Sequence, residues 1–273
     1  MKQALTHPIL FFTSTLILFI FLSGCEKRES PSLQTETLRV DSLAQVTLLK
    51  NALVKPVIYT NISGLEQLPI VEAKAKFISA VLPSILIAKY HIEEGRKKIT
   101  MLSKKERWSV TDSSFYLNLK TRYKAKGMDD LIFRMRTLPN SIVLAQAAVE
   151  SGWGQSRFFL KANNLFGIWS FNKNEPRIAA VRIRGNKRIY LRSYQDMPQS
   201  IINYFEILSR SKAYWSLRKA RLQTSDPLQL LPHLKNFSER RTLYTNQLKN
   251  VILLNKLKHY DHYQIDPKYI MVD

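Results

Sequence analysis

The chain has 273 residues, 45% of them hydrophobic, enough to bury a core in one or two domains, and its single cysteine excludes a disulfide within one chain. Its 42 Lys and Arg against 21 Asp and Glu give a formal net charge of +21, a surplus that attracts polyanions. The basic residues are scattered, as at Lys104, Lys105, Arg182, Arg184, Arg240 and Arg241, so the bias reads as general surface attraction and not as a dedicated nucleic-acid groove.

Residues 1–25 carry no Asp or Glu, have Lys2 near the start and are almost wholly apolar from Pro8 to Leu22. The pattern predicts a secretion signal, because the apolar stretch is shorter than the roughly 20 residues that a membrane span needs. Leu22-Ser-Gly-Cys25 closes the segment and resembles the bacterial lipoprotein signal. That resemblance implies a diacylglycerol on the Cys25 thiol, cleavage before Cys25 and a membrane anchor there. Lipoproteins of this type that stay in the inner membrane usually have Asp after the cysteine, and Glu26 stands there instead. The expected place is the outer membrane, facing the periplasm. A tethered, exported protein seldom meets nucleic acid, so wall or envelope material is the expected polyanion.

Residues 26–65 mix Ser, Thr, Pro and charge and are expected to form a tether, ending in a short strand around Val57–Thr60. Residues 66–130 read as a helical extension. From Glu72 the apolar positions Ala73, Phe77, Ile78, Val81, Leu82, Leu86 and Ile87 follow a helical period, which Pro83 is expected to kink or divide, and a further helix is predicted between Ser113 and Tyr123. Residues 131–265 form the main predicted domain. In it Pro139 suits a first helical turn, and Ile142–Val149 forms an apolar, alanine-rich helix that Gly152 can terminate.

Glu150 falls in the last turn of that helix, where the negative end of the helix dipole and apolar surroundings both disfavour an ionised carboxylate. A raised pKa suits a general acid near neutral pH. Gln146, four residues earlier on the same face, is placed to orient the carboxyl group. A solvated helix end would look the same in isolation, so the residues that follow decide.

Those residues are Ala147-Ala-Val-Glu150-Ser-Gly-Trp-Gly154, then Ser156, then Asn163-Asn-Leu-Phe-Gly-Ile168. They closely resemble the signature of glycoside hydrolase family 73, the bacterial peptidoglycan N-acetylglucosaminidases, and within it the Bax-type proteins. Lys74–Pro83 and Ala213–Ala220 are similar to further segments of that group, so the resemblance runs from about 74 to 260. It implies a predominantly α-helical α+β fold, goose-type-lysozyme-like with a small β-hairpin lobe. It also implies an endo-β-N-acetylglucosaminidase that cuts β-1,4 bonds of peptidoglycan, with Glu150 as general acid and no cofactor. Trp153 and Phe166 then read as sugar platforms or as core, and Asn163 and Asn164 as sugar contacts or as turn formers. Tyr244 matches a family tyrosine beside the catalytic acid, and Phe237 stands where relatives often have Tyr.

Ile178–Arg184 and Lys187–Tyr194 flank Gly185-Asn186, a strong signal for a hairpin with a two-residue turn. Asp196 is placed to cap the next helix, with Gln199 reaching back. A glycosidase normally needs a second carboxylate, yet both hairpin strands lack Asp and Glu. The candidates are Glu175 just before the hairpin, an acid from elsewhere such as Asp196, or the substrate itself. His259 and His262 have ligand-like spacing in a polar tail, and no metal is expected there. A lytic transglycosylase and an inert wall-binding lipoprotein remain alternative functions, and a monomer is expected.

Overall fold

Residues 31–184 and 187–271 are described by the computed structural model, so Cys25 and the Gly185-Asn186 turn lie outside the described residues. The expected tether is instead part of the body. Ser32–Leu33 (β1), Glu36–Arg39 (β2), Leu53–Val54 (β3) and Val57–Thr60 (β4) are short strands, the last where the sequence places one. β2 and β4 pair in parallel. Val40, Val46, Val54, Val57, Tyr59, Ile62 and Leu65 are buried in the main core. These seven apolar residues are sparse and spread along a polar stretch, and burying them holds the segment down.

Ile70–Leu102 (α1) is one helix of 33 residues, roughly 50 Å long. It is not divided at Pro83. Proline removes the amide that would bond the Ser79 carbonyl, but Phe77, Val81, Leu82, Ile85 and Ile87 are all at most 1% exposed, so burial on every side keeps the helix continuous. The pattern leaves open a small bundle of its own or packing onto the next domain, and α1 packs on helices of the main domain and shares their core. Val110–Tyr123 (α2), where a helix is predicted from Ser113, and Met128–Arg134 (α3) enclose a smaller core around Ile99, Leu131 and Met135.

Asn140–Ser151 (α4) lies in the middle, with residues 140–148 essentially inaccessible. Its small side chains let neighbours approach closely, and its amide ends need partners from elsewhere. The tail supplies them at the N-terminus: Asp261 accepts from the Ser141 backbone N–H at 2.7 Å and from Ser141 Oγ at 2.8 Å. Asn140 Nδ2 donates to the Tyr260 and Tyr263 carbonyls at 2.8 and 3.2 Å. At the other end Gly152 takes the left-handed C-cap conformation, φ 60°.

Arg157–Ala162 (α5) leads into the hairpin of Arg177–Arg184 (β5) and Lys187–Arg192 (β6), antiparallel with Arg184 opposite Lys187 as a two-residue turn requires. Asp196 caps Met197–Arg210 (α6) by accepting from the Gln199 backbone N–H at 2.8 Å. Trp215–Ala220 (α7), Pro227–Leu230 (α8) and Thr242–Leu254 (α9) complete the helices. Gln264–Ile265 (β7) then pairs with β3, and Ile270–Met271 (β8) with β1, so the two chain ends are laced together. The architecture is predominantly helical, with small two-stranded sheets among the described residues.

The exit from α4 depends on Gly154, whose φ is 84° and where an added Cβ would sit 2.8 Å from Leu65 Cδ1 and 3.0 Å from Phe77 Cδ2. Gly154→Ala combines left-handed strain with overpacking and should cost about 3 kcal/mol. Gly152→Ala, at φ 60° with open space around it, should cost about 1 kcal/mol. Urea unfolding midpoints of the two variants measure the difference, and equal midpoints would contradict the packing account.

Candidate active site

Glu150 stands half-buried in the last turn of α4, and one line of hydrogen bonds reaches it from the core. Tyr204 of α6 donates its hydroxyl proton to Gln146 Oε1 at 2.6 Å, and Gln146 Nε2 donates to the Tyr244 hydroxyl of α9 at 3.0 Å. An amide oxygen can only accept and an amide nitrogen can only donate. With the amide in this orientation the single proton of Tyr244 is left for Glu150, whose charged form it favours. All three donors are essentially inaccessible to water.

Burial pushes the Glu150 carboxyl above its ordinary value, opposed by the Tyr244 hydrogen bond and by the Arg240 guanidinium. Arg240 also lies over the Tyr244 ring at 5.9 Å. Tyr204 and Tyr244 are both raised far above the usual tyrosine range, chiefly by burial, and so stay protonated as donors. Tyr214 is pushed up to about 12 by burial and then by the charge of Glu150.

Of the residues singled out in the sequence, Gln146, Glu150 and Tyr244 come together, and two aromatics back them. Phe166 stacks on Tyr204 with ring centroids 4.3 Å apart, and Phe237 on Tyr244 at 5.9 Å. Five others serve elsewhere. Trp153 packs edge-on against Phe77 at 5.5 Å under the Lys74 ammonium, so it faces α1 and not a sugar. Asn163 takes the left-handed cap of α5 and donates its amide to the Tyr194 and Gln195 carbonyls. Asn164 is buried and closes the loop on itself: Nδ2 donates to the Ile168 and Arg192 carbonyls, and Oδ1 accepts from the Ile168 backbone N–H. With these amide groups committed to backbone, both are turn formers.

Glu175 is engaged away from Glu150. Its carboxylate pairs with Arg192 at 3.2 Å, in a charged pocket that also holds Asn203, Glu206 and Arg122. Glu206 accepts from Arg122 and from Asn203 Nδ2, and Asn203 Oδ1 accepts from Arg192 and Tyr194, so the cluster braces the hairpin against α6 and α2. Asp196 is occupied as the α6 cap.

Beside the hydrogen-bonded line opens a cleft of about 380 Å³, lined by Phe166, Tyr204, Tyr214 and Phe237 and, on its rim, by the exposed Trp169 and Phe171. Another cavity, about 330 Å³ between the 45–57 segment and Pro83, holds none of the site residues, whereas the aromatic cleft shares Tyr204 with the line that leads to Glu150. Sequence reasoning missed Tyr204, Tyr214, Trp169 and Phe171. For Tyr204 a signal existed: it shares the buried face of α6 with Ile201, Phe205 and Leu208, and a buried tyrosine needs a partner for its hydroxyl.

Residues 125–269 match the glucosaminidase family, described as mannosyl-glycoprotein endo-β-N-acetylglucosaminidase. The match spans more than half of the chain, and the chain belongs to this family of glycoside hydrolases, the family its motifs resemble. Protein bax of Escherichia coli (strain K12) is 27% identical over 189 residues, 64% of this chain and 67% of that protein. Among solved structures, the catalytic domain of the autolysin Auto from Listeria monocytogenes is 21% identical, covering 59% of this chain and 94% of that one with a TM-score of 0.39. A peptidoglycan hydrolase from Sphingomonas sp. A1 is 22% identical, covering 52% and 92% with a TM-score of 0.38. A glycoside hydrolase domain of FlgJ from Salmonella typhimurium is 21% identical, covering 50% and 97% with a TM-score of 0.36.

The direction of the Glu150 shift has a sign that can be checked. Tyr244→Phe removes a donor that favours the carboxylate, and Arg240→Gln removes a cation that does the same, so both variants should titrate Glu150 at higher pH than the wild type. Carbon-13 NMR of the carboxyl measures this. Because the folded pKa exceeds the unfolded one, this group's stability contribution is full below the ordinary carboxylate pKa and is lost as pH rises through the folded pKa. Glu150→Gln should therefore melt higher than wild type at neutral pH, with the gap closing in acid.

Proposed function

We propose that the protein is an endo-β-N-acetylglucosaminidase of peptidoglycan in which Glu150 is the general acid. The observation that carries the reading is the half-buried, pKa-raised carboxyl of Glu150, oriented by Tyr244 and Gln146 beside an aromatic cleft in a glucosaminidase-family chain. The glucosaminidase-family match over residues 125–269 supports cleavage beside N-acetylglucosamine.

In this reading the protonated Glu150 gives its proton to the glycosidic oxygen as the bond from C1 to that oxygen breaks, and the leaving sugar keeps the bonding electron pair. Water then adds to C1 and its released proton restores the acid. Tyr244 steadies the carboxyl group from which that proton leaves. Stacking on aromatic rings suits the apolar faces of sugar rings, and Phe237 offers a face where a tyrosine would add a hydrogen bond. Glu175 pairs with Arg192, which favours assistance by the substrate's own acetamide: its carbonyl oxygen bonds to C1 as the leaving group departs, and water reopens that ring.

Mass spectrometry of the fragments released from peptidoglycan tests the reaction. Reducing N-acetylglucosamine ends are expected; 1,6-anhydromuramic ends would establish a lytic transglycosylase, and no release an inert binder. Glu150→Gln, which keeps the shape and lacks the proton, should lower turnover by about 10² to 10⁴. Glu175→Ala should change it only slightly, and a collapse in a folded Glu175→Ala protein would restore the two-carboxylate scheme.

The lipid anchor rests on the sequence alone. Between Cys25 and Ser32 the chain spans at most roughly 25 Å, so an acylated Cys25 holds the folded body close to the membrane and not on a long tether. Cys25→Ser should abolish fatty-acid labelling and signal cleavage, and equal label in both proteins would remove Cys25 as the anchor.

A further inference from the structure

The described lining of the cleft contains two arginines, Arg192 and Arg210, and no carboxylate. They are not equivalent. Arg192 is neutralised at 3.2 Å by Glu175 and donates to Asn203 Oδ1 at 3.1 Å. Arg210, the last residue of α6, has no ion pair or hydrogen bond among the described residues.

A basic residue at that position commonly bonds the orphan carbonyls of its own helix. Here the work is taken by Arg218 of α7, whose Nη1 donates to the Leu208 and Ser211 carbonyls at 2.9 and 2.7 Å. Arg210 is thereby left to line the cleft together with Tyr214 and the rim aromatics Trp169 and Phe171, whose rings lie 6.1 Å apart. A cation over low-dielectric aromatic walls with no acid in the lining focuses a positive field into the cleft. A planar guanidinium matches a planar carboxylate by two parallel hydrogen bonds.

We propose that Arg210 is a specificity-determining residue that binds a carboxylate carried by the glycan strand, so that the cleft prefers acidic peptidoglycan to neutral polymers of N-acetylglucosamine. This deepens the peptidoglycan reading and rests on it for the identity of the strand. The carboxylate has two sources of one chemistry, the stem peptide and the lactyl group of a peptide-free muramic residue.

Titration calorimetry on the full chain tests it with three oligosaccharides: peptide-bearing, the same with every carboxylate amidated, and peptide-free with the lactyl carboxylate intact. The wild type should bind the first about tenfold to a hundredfold more tightly than the second, the range of a hydrogen-bonded charge. The third shows the source: matching the first, it assigns the lactyl group, and matching the second, the peptide. Arg210→Gln should abolish the preference, and Arg210→Lys should retain part of it. Equal wild-type binding of the first two, or no binding of either, overturns the proposal, as does a preference that survives Arg210→Gln. Reducing-end release is measured alongside. Preference without cleavage leaves this proposal standing and sinks the glucosaminidase reading, whereas cleavage without preference does the reverse.

Discussion

The one-way chain of hydrogen bonds from Tyr204 through Gln146 and Tyr244 to Glu150 sets the terms for the whole structure. The polar atoms of Tyr204, Gln146 and Tyr244 are withdrawn from water, where an unmet donor or acceptor costs about 1–3 kcal/mol, so these groups have to be placed together or not at all. Three helices supply them: α4 gives Gln146 and Glu150, α6 gives Tyr204 and α9 gives Tyr244. With the Gln146 amide oxygen on Tyr204 and its nitrogen on Tyr244, the Tyr244 proton is the one left to act on Glu150. Its hydrogen bond favours the carboxylate while burial favours the acid, and the protonation state is the balance of the two.

Holding that balance needs α4 to be immobile, and the polypeptide pins it at both ends. At its start Asn140 accepts from Lys89 Nζ at 2.6 Å and donates to the tail, while Asp261 takes the free amide of Ser141. Lys89 is lowered to about 8 by burial, against the pull of Asp261 and Glu93. At its end the Ser151 hydroxyl donates to the Ala147 carbonyl and accepts from the Gly154 backbone N–H, fixing the turn out of the helix. The N-terminal strands join this arrangement by pairing β1 with β8 and β3 with β7, so that the segment ahead of α1 clamps the same tail that caps α4.

What was legible in the sequence was what local spacing controls. Gln146 and Glu150 are one helical turn apart, Gly152 ends the helix, and the hairpin strands are marked by their two-residue turn. What depended on distant partners was not legible. The 31–65 segment reads as polar linker because its strands are two to four residues long and two of them pair with residues beyond 260. The Asn163-Asn164 pair suits a sugar contact or a turn equally well until backbone carbonyls some thirty residues away take up the amides. Tyr204 sits on an ordinary apolar face, and only the fold shows that its hydroxyl meets Gln146, 58 positions earlier.

The placement of the other carboxylates follows from the same electrostatics. A second carboxylate close to Glu150 would raise its pKa by repulsion, and two like charges in a buried site would compete for one proton. Here burial alone raises it, and the charged neighbour that acts on it is Arg240, which lowers it. Glu175 and Glu206 are drawn instead into a brace with Arg192 and Arg122, where their charges are matched and join the hairpin to α6 and α2. The hairpin is thus braced by Glu175, an acid that sequence inspection would assign to chemistry. Glu150 is left as an acid whose affinity for its proton is set by desolvation, by one hydroxyl and by the Arg240 guanidinium, with no second carboxylate competing for that proton.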